Sequence, residues 1–211
     1  MAIHIVVADG HEVIRAGLVS IFRGSPFEVV ASAYSPYGLL RQVIAHQPHC
    51  VLTDVFLRDD DGLTVIKKIR AKCPSTRVVV LSAYDNPTYV ARSRAWGASD
   101  YILKGLGRRQ LIDVVSQVVS GKAPTSLGLM GNIQAALTQK HINSVKLDVP
   151  LTLRESQALR HLGFGLSNRE IGFSMSISVE TVKEHIQNVL RKLDLKDRTQ
   201  AAVWAVRKRI I

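Results

Sequence analysis

The sequence predicts an α/β unit built on a five-stranded parallel sheet, followed by a small all-α unit. Three observations carry this. Short β-rich runs alternate with amphipathic helical stretches over the first 120 residues; only helical periodicity remains after Pro150; and a Gly-, Ser- and Pro-containing stretch separates the two regions. With 211 residues, 46% hydrophobic and 21% charged, the chain has the apolar content to bury real cores, and disorder is excluded as a description of it.

The β-rich runs are Ile3 to Ala8, Phe27 to Ala33, Cys50 to Val55, Arg77 to Leu81 and Ser99 to Leu103. Val13, Ile14, Gly17, Leu18, Ile21 and Phe22 recur at helical spacing after the first run, and Leu111, Val114, Val115, Val118 and Val119 after the last. Five strands alternating with five helices imply a parallel sheet covered on both faces, assigned to residues 1–122. Residues 123–149, opening with Ala123, Pro124, Thr125 and Ser126 and carrying Gly128 and Gly131, read as a linker that holds a short helix from Asn132 to Lys140. Residues 150–211 form the helical domain. Its helix starts are marked by Thr152-x-x-Glu155, Ser167-x-x-Glu170 and the variant Asp197-x-x-Gln200, with Ser178 capping the remaining helix.

The longest apolar runs fall far short of the roughly 18 to 20 residues that span a bilayer, so no transmembrane helix is expected. The start Met1, Ala2, Ile3, His4 lacks the basic residues and small-residue cleavage site of a secretory signal, and the expected location is cytoplasmic. Cys50 and Cys73 form neither a disulfide framework nor a zinc motif and are read as reduced, packed thiols. The formal charge of +11 favours a polyanionic partner, nucleic acid first. Residues 126–211 hold 13 basic against 7 acidic residues, a denser excess than the 15 against 10 of residues 1–125.

Open parallel sheets bind ligands beyond the carboxyl ends of their strands, where the strand order reverses. Asp9 follows the first strand, Asp54 ends the third, Ser82 ends the fourth and Lys104 follows the fifth. In the order 2-1-3-4-5 these four converge on one rim. Two carboxylates suit Mg²⁺, one of them can attack phosphorus, and a hydroxyl with an ammonium suits the phosphoryl oxygens. The set fits phosphoryl transfer to an aspartate.

In the helical domain, Val182, Ile186, Val189, Leu190 and Leu193 line one face of the stretch from Ser178 to Leu193. The opposite face presents Lys183, Glu184, Gln187, Asn188 and Arg191, donors and acceptors suited to base edges and phosphates. A short helix from Ser167 to Met175 precedes it across the turn of Ser176, Ile177 and Ser178, the arrangement of a helix-turn-helix. The last helix, Thr199 to Arg209, is expected to bury Ala202, Val203 and Val206.

The segment from Val51 to Leu63 around Asp54 resembles the phosphorylation-site signature of bacterial response regulators, and Gly97 to Lys104 resembles their fifth-strand signature. Leu151 to Glu155, Leu166 to Ile171 and Ile177 to Leu193 closely match the LuxR-type helix-turn-helix. Together the two halves look like a NarL/FixJ-type response regulator. The resemblance implies a flavodoxin-like receiver whose phosphoacceptor is Asp54, with Ser82 and Lys104 on the phosphoryl group and Tyr101 reorienting together with Ser82. It implies Mg²⁺ on Asp9, Asp54 and the backbone carbonyl of Phe56. It places Lys183, Glu184 and Gln187 at base edges and Asn168, Arg169, Asn188 and Arg191 on phosphates, with His185 in a packing role. A sensor histidine kinase, double-stranded DNA and a second copy of the chain are the implied partners, the last helix contributing to the dimer. The output is DNA binding; no catalytic residue is assigned.

Two positions depart from the family pattern. Gly10 stands where a second acid usually touches the metal, and Arg58 replaces the usual proline after the phosphoacceptor. Asp9, Asp54 and Lys104 sum to −1, where a third carboxylate would give −2. A unit-charge pair at 4 Å is worth about 4 kcal/mol at an effective dielectric near 20, so the Mg²⁺ site is weakened unless Glu12 or Asp59 compensates. Alternatively, Arg58 pairs with Asp54 and the receiver is a phosphate-independent interaction and dimerisation platform. An aspartyl-phosphate phosphatase would need an acid at Phe56, and an FMN protein would need a phosphate-cradling loop after the first strand; the sequence has neither.

Overall fold

The computed structural model describes residues 2–58, 60–138 and 151–211; Asp59 and residues 139–150, which hold the rest of the expected linker and its Lys140, lie outside the described residues. Two compact units are formed, residues 1–86 with 96–131, and residues 87–95 with 132–211.

In the first unit, β1 (Ile3–Ala8), β2 (Phe27–Ala33), β3 (Cys50–Thr53), β6 (Arg77–Ser82) and β7 (Asp100–Leu103) pair in parallel in the order β2-β1-β3-β6-β7. Counting these five strands alone gives the expected order. A two-residue antiparallel pair, β4 (Phe56–Leu57) with β5 (Asp60–Asp61), follows β3. The helices are α1 (Glu12–Phe22), α2 (Pro36–His46), α3 (Thr64–Lys72) and α5 (Arg108–Val119). Alternation along the strands splits the core. Ile5, Val7, Leu52, Val79 and Ile102 join Leu18 and Phe22 of α1 and Leu111, Val114, Val115 and Val118 of α5, all buried. Val6, Val51, Val78 and Val80 point the other way and are fully buried as well. Both sulfhydryls are buried and unbridged, and burial pushes the Cys50 thiol up to about 12.

The stretch read as the start of a linker is laid along β7. Thr125 donates its N–H and its hydroxyl to Asp100 Oδ2, each at 2.7 Å, and Leu129 N donates to Tyr101 O at 2.8 Å. Asp100 Oδ1 accepts from Tyr101 N at 2.8 Å. Burial raises the Asp100 carboxyl, and these donors counter it. Helix α6 (Met130–Thr138) then begins with Met130 fully buried.

The second unit contains α4 (Pro87–Ala95), α7 (Leu153–Gly163), α8 (Asn168–Met175), α9 (Val179–Lys192) and α10 (Arg198–Arg207). All four expected caps are present. Thr152 Oγ1 accepts from Glu155 N at 3.2 Å while Glu155 Oε2 accepts from Thr152 N at 2.7 Å; Ser167 and Glu170 repeat the exchange. Ser178 Oγ accepts from Thr181 N, and Asp197 Oδ1 from Gln200 N. The last helix differs from expectation. Ala201 and Ala205 are buried, Ala202 is half-buried, and Val203 and Val206 are 44% and 54% exposed. Six consecutive apolar residues, Ala201 to Val206, select no face by periodicity, and close approach decides instead. A Cβ on Gly163 of α7 would sit 3.2 Å from the Ala205 Cβ, so the two smallest side chains face each other.

Two outcomes test this packing. Thr125→Val removes a hydroxyl donor from a buried carboxylate and should cost about 1–3 kcal/mol, read as a lower denaturation midpoint with an unchanged slope. Burial opposes ionisation of Glu155, but Lys192 Nζ at 2.8 Å and the Thr152 donors outweigh it and hold the carboxyl below its ordinary value of 4.5. A depressed carboxyl contributes stability above 4.5 that is lost as pH falls through the folded value. Scanning calorimetry of Glu155→Gln should therefore show a lower melting temperature at pH 7 and a smaller decline than wild type below pH 4.5.

Candidate functional site

Register places the pocket of the first unit. Ala8 pairs with Thr53, Thr53 with Val80, and Ser82 with Leu103, so all four carboxyl ends reach one edge. Asp9 and Asp54 are each one residue past the Ala8/Thr53 pair, and Asp54 N donates to Ala8 O at 2.9 Å. Lys104, just beyond β7, is fixed by its N–H to Ser82 O at 2.8 Å. Its Nζ donates to Asp9 Oδ2 at 2.6 Å and to Asp54 Oδ2 at 2.7 Å. Asp54 Oδ1 accepts from Val55 N at 2.7 Å, and Asp9 Oδ1 from His11 N at 2.8 Å, with His11 Nδ1 at 3.1 Å. Burial pushes the Asp54 carboxyl above its usual range; Lys104 pulls it back and Asp9 adds to the rise. For Lys104, burial disfavours the ammonium, but Asp54 and Asp9 outweigh it and raise its pKa. Asp54 is thus a largely desolvated carboxylate facing an open pocket of about 450 Å³.

Ser82 and Tyr101 are both fully buried and both bond the backbone of Tyr84. Ser82 Oγ accepts from Tyr84 N at 3.1 Å, and the Tyr101 hydroxyl donates to Tyr84 O at 2.6 Å. The serine and aromatic grouped by the sequence are mechanically linked through Tyr84.

The alternative pairing of Arg58 with Asp54 is not what forms. The Arg58 guanidinium lies 4.2 Å above the Tyr34 ring, and Lys104 is the cation on Asp54. Gly10 and Arg58, separate departures in the sequence, are one feature in space. A Cβ on Gly10 would lie 2.9 Å from Arg58 N, so the backbone of the loop takes the room a second acid's side chain would need. Arg58 is held there at φ 52°, in the left-handed region. Asp9, Asp54 and the Phe56 carbonyl are hard oxygen donors of the kind Mg²⁺ takes, with water completing its shell, but they lack the second acid that Gly10 replaces. Both carboxylates are already tied to Lys104, and the described residues hold no group of three acidic, His or Cys side chains able to bind a metal. Glu12 is exposed as the first residue of α1, and Asp59 lies outside the described residues.

In the second unit α9 buries Val182, Ile186 and Val189, leaves Leu190, Leu193 and His185 half-buried, and exposes Lys183, Glu184, Gln187 and Arg191 along one side. Lys183 Nζ bonds Glu180 at 3.2 Å, and Arg191 donates to Asn188 Oδ1 at 2.9 Å. The turn before α9 is closed by Ile177 N to Gly172 O at 3.0 Å, with Ser176 left-handed at φ 55°. Arg169 is exposed. Asn168 accepts from Arg198, whose Nη1 donates to Asn168 Oδ1 at 3.1 Å and whose Nη2 donates to Leu166 O at 2.7 Å. Sequence reasoning missed Arg198. A cation at the first position of a helix opposes the dipole, and that anomaly was the available signal.

Residues 5–116 match the family model of the response regulator receiver domain, and residues 149–205 that of bacterial regulatory proteins of the luxR family. The chain is 35% identical over 204 residues to the uncharacterized transcriptional regulatory protein YhcZ of Bacillus subtilis (strain 168), covering 96% of this chain and 95% of that protein. It is 31% identical over 220 residues to the transcriptional regulatory protein DegU of Brevibacillus brevis, covering 97% and 93%. Among solved structures, the response regulator ChrA of a heme-sensing two-component system matches with a TM-score of 0.52 and 28% identity, over 100% of this chain and 99% of that one. No helix among the described residues is long and apolar enough to cross a membrane. The chain belongs to the bacterial response regulators that join a receiver to a LuxR-type helix-turn-helix, the DNA-binding transcriptional regulators of two-component systems.

Proposed function

We propose that this regulator works in the cytoplasm, accepts a phosphoryl group on Asp54 from a sensor histidine kinase, and thereby shifts toward a homodimer competent to bind its operator. The observation that carries the reading is the position of Asp54: a desolvated carboxylate oxygen, one hydrogen bond from the Lys104 ammonium, facing an open pocket. Lys104 and Ser82 would bind the transferred oxygens, and the Tyr84 peptide would pass the change to Tyr101. Receiver domains generally bind Mg²⁺ for phosphorylation; here such an ion would have Asp9, Asp54 and the Phe56 carbonyl as protein ligands and would be held weakly. The phosphate-independent reading loses its support, because Arg58 stacks on Tyr34 instead of neutralising Asp54.

On DNA, Lys183, Glu184 and Gln187 would face base edges, and Asn188, Arg191, Arg169 and the Asn168–Arg198 pair would lie at the phosphates. The exposed Val203 and Val206 of α10 provide apolar surface for the dimer to cover.

Incubation with a small phosphodonor should add about 80 Da by intact mass, and Asp54→Ala should abolish the gain. Binding to an operator selected from random duplexes should weaken steeply with salt. Arg191→Ala should lower the salt slope by about 1, whereas Lys183→Ala should cost about 1–3 kcal/mol and relax sequence preference.

A further inference from the structure

The formal charge of the described pocket is not that of a divalent-cation site. Asp9 and Asp54 contribute two negative charges, Lys104 bonds both, and Arg58, stacked on Tyr34, lines the same pocket with a second positive charge, so these four groups sum to zero. A dication entering a pocket of zero formal charge gains little from it; a phosphoryl group arriving on Asp54 brings negative charge that two cations can meet.

The loop is built to keep Arg58 there. Gly10 lets the Arg58 backbone approach to a distance no side chain at position 10 would permit, and Arg58, left-handed at φ 52°, lines the pocket. The guanidinium is parked on the Tyr34 ring at 4.2 Å. Arg15 approaches the same ring at 5.9 Å and donates to Asp9 O at 2.9 Å. A stacking contact at an exposed site is weak, and a planar guanidinium matches phosphoryl oxygens two at a time. Arg58 therefore rests on a weak perch beside the group it is shaped to bind.

We infer that Arg58 leaves Tyr34 to clamp the phosphoryl group on Asp54, supplying the positive charge that a divalent cation supplies in other receivers, so that phosphorylation here proceeds without Mg²⁺. The inference rests on Asp54 being the phosphoacceptor. With acetyl phosphate as donor, an Asp54 carboxylate oxygen bonds to phosphorus, the bond from phosphorus to the acetate oxygen breaks, and acetate leaves with the electron pair. No proton or oxidant is needed.

The full-length protein is incubated with acetyl phosphate in excess Mg²⁺ or in EDTA, weighed intact, and titrated with Mg²⁺ by calorimetry. Wild type should gain the Asp54 adduct to a similar extent in both buffers and give little heat with Mg²⁺. Arg58→Ala should lose at least about tenfold of the adduct in EDTA and regain it in Mg²⁺, and Arg58→Lys should retain part of the EDTA reaction. Circular dichroism of both variants separates loss of the clamp from loss of the fold. An adduct on wild type that requires Mg²⁺, or an Arg58→Ala protein that folds and reacts like wild type in EDTA, overturns the role of Arg58 and leaves Asp54 as phosphoacceptor. No adduct on wild type in either buffer removes the Asp54 assignment itself.

Discussion

The Lys104 ammonium between two carboxylates organises the receiver. Asp9 and Asp54 stand side by side because β1 and β3 are aligned neighbours, and two desolvated acids so placed repel each other unless a cation is shared. Lys104 reaches both from the next strand but one, which requires the strand order found here. One ion triad thus ties three strand ends together on the side where α/β sheets bind ligands. The triad also sets the chemistry, since the lysine that neutralises Asp54 before phosphorylation is the lysine that can bind the phosphoryl oxygens afterwards.

The helical unit depends on a different economy, that of helix ends. Short helices are marginal by themselves, and the eight residues of α8 have few internal bonds to spare. Reciprocal caps at Thr152/Glu155 and Ser167/Glu170 satisfy donors that would otherwise face the interior. Glu155 serves twice, capping α7 and bonding Lys192 near the end of α9, so one carboxylate ties these two helices together. With Val182, Ile186 and Val189 buried on the opposite face, Lys183, Glu184, Gln187 and Arg191 of α9 stay exposed.

What the sequence made legible follows from where strong local rules apply. The bounds of β1 and β2 and all four caps came directly from alternation and from side chains that satisfy neighbouring N–H groups. The convergence of Asp9, Asp54, Ser82 and Lys104 needed only the strand order. Other features had no local signal. The docking of Thr125 on Asp100 joins residues 25 apart through a composition that reads as loop. The face of α10 was set by Gly163 on another helix. Arg58 carries the same lesson: its charge suggested Asp54, but only the backbone path past Gly10 showed that Lys104 already held that carboxylate and that Tyr34 was the available platform.

The backbone of Tyr84, bonded through its N–H to Ser82 and through its carbonyl to Tyr101, bears on how the proposed chemical change at Asp54 would become a change of state. Moving a two-state equilibrium from 1:99 to 99:1 requires about 5.5 kcal/mol of preferential interaction. Hydrogen bonds to charged groups are worth about 1.5–3 kcal/mol each, so two to four made in only one state are enough. Lys104 offers one donor, the Ser82 hydroxyl another, and a clamping arginine a pair. Of these, Ser82 alone is bonded to the Tyr84 N–H, and the carbonyl of that same residue accepts the Tyr101 hydroxyl. A shift of Ser82 toward phosphoryl oxygen would disturb the residue whose carbonyl accepts the buried Tyr101 hydroxyl, and buried polar groups are costly to leave poorly paired. Under the proposed phosphorylation, the two side chains would therefore change together, which is the condition for a switch and not merely a binding pocket.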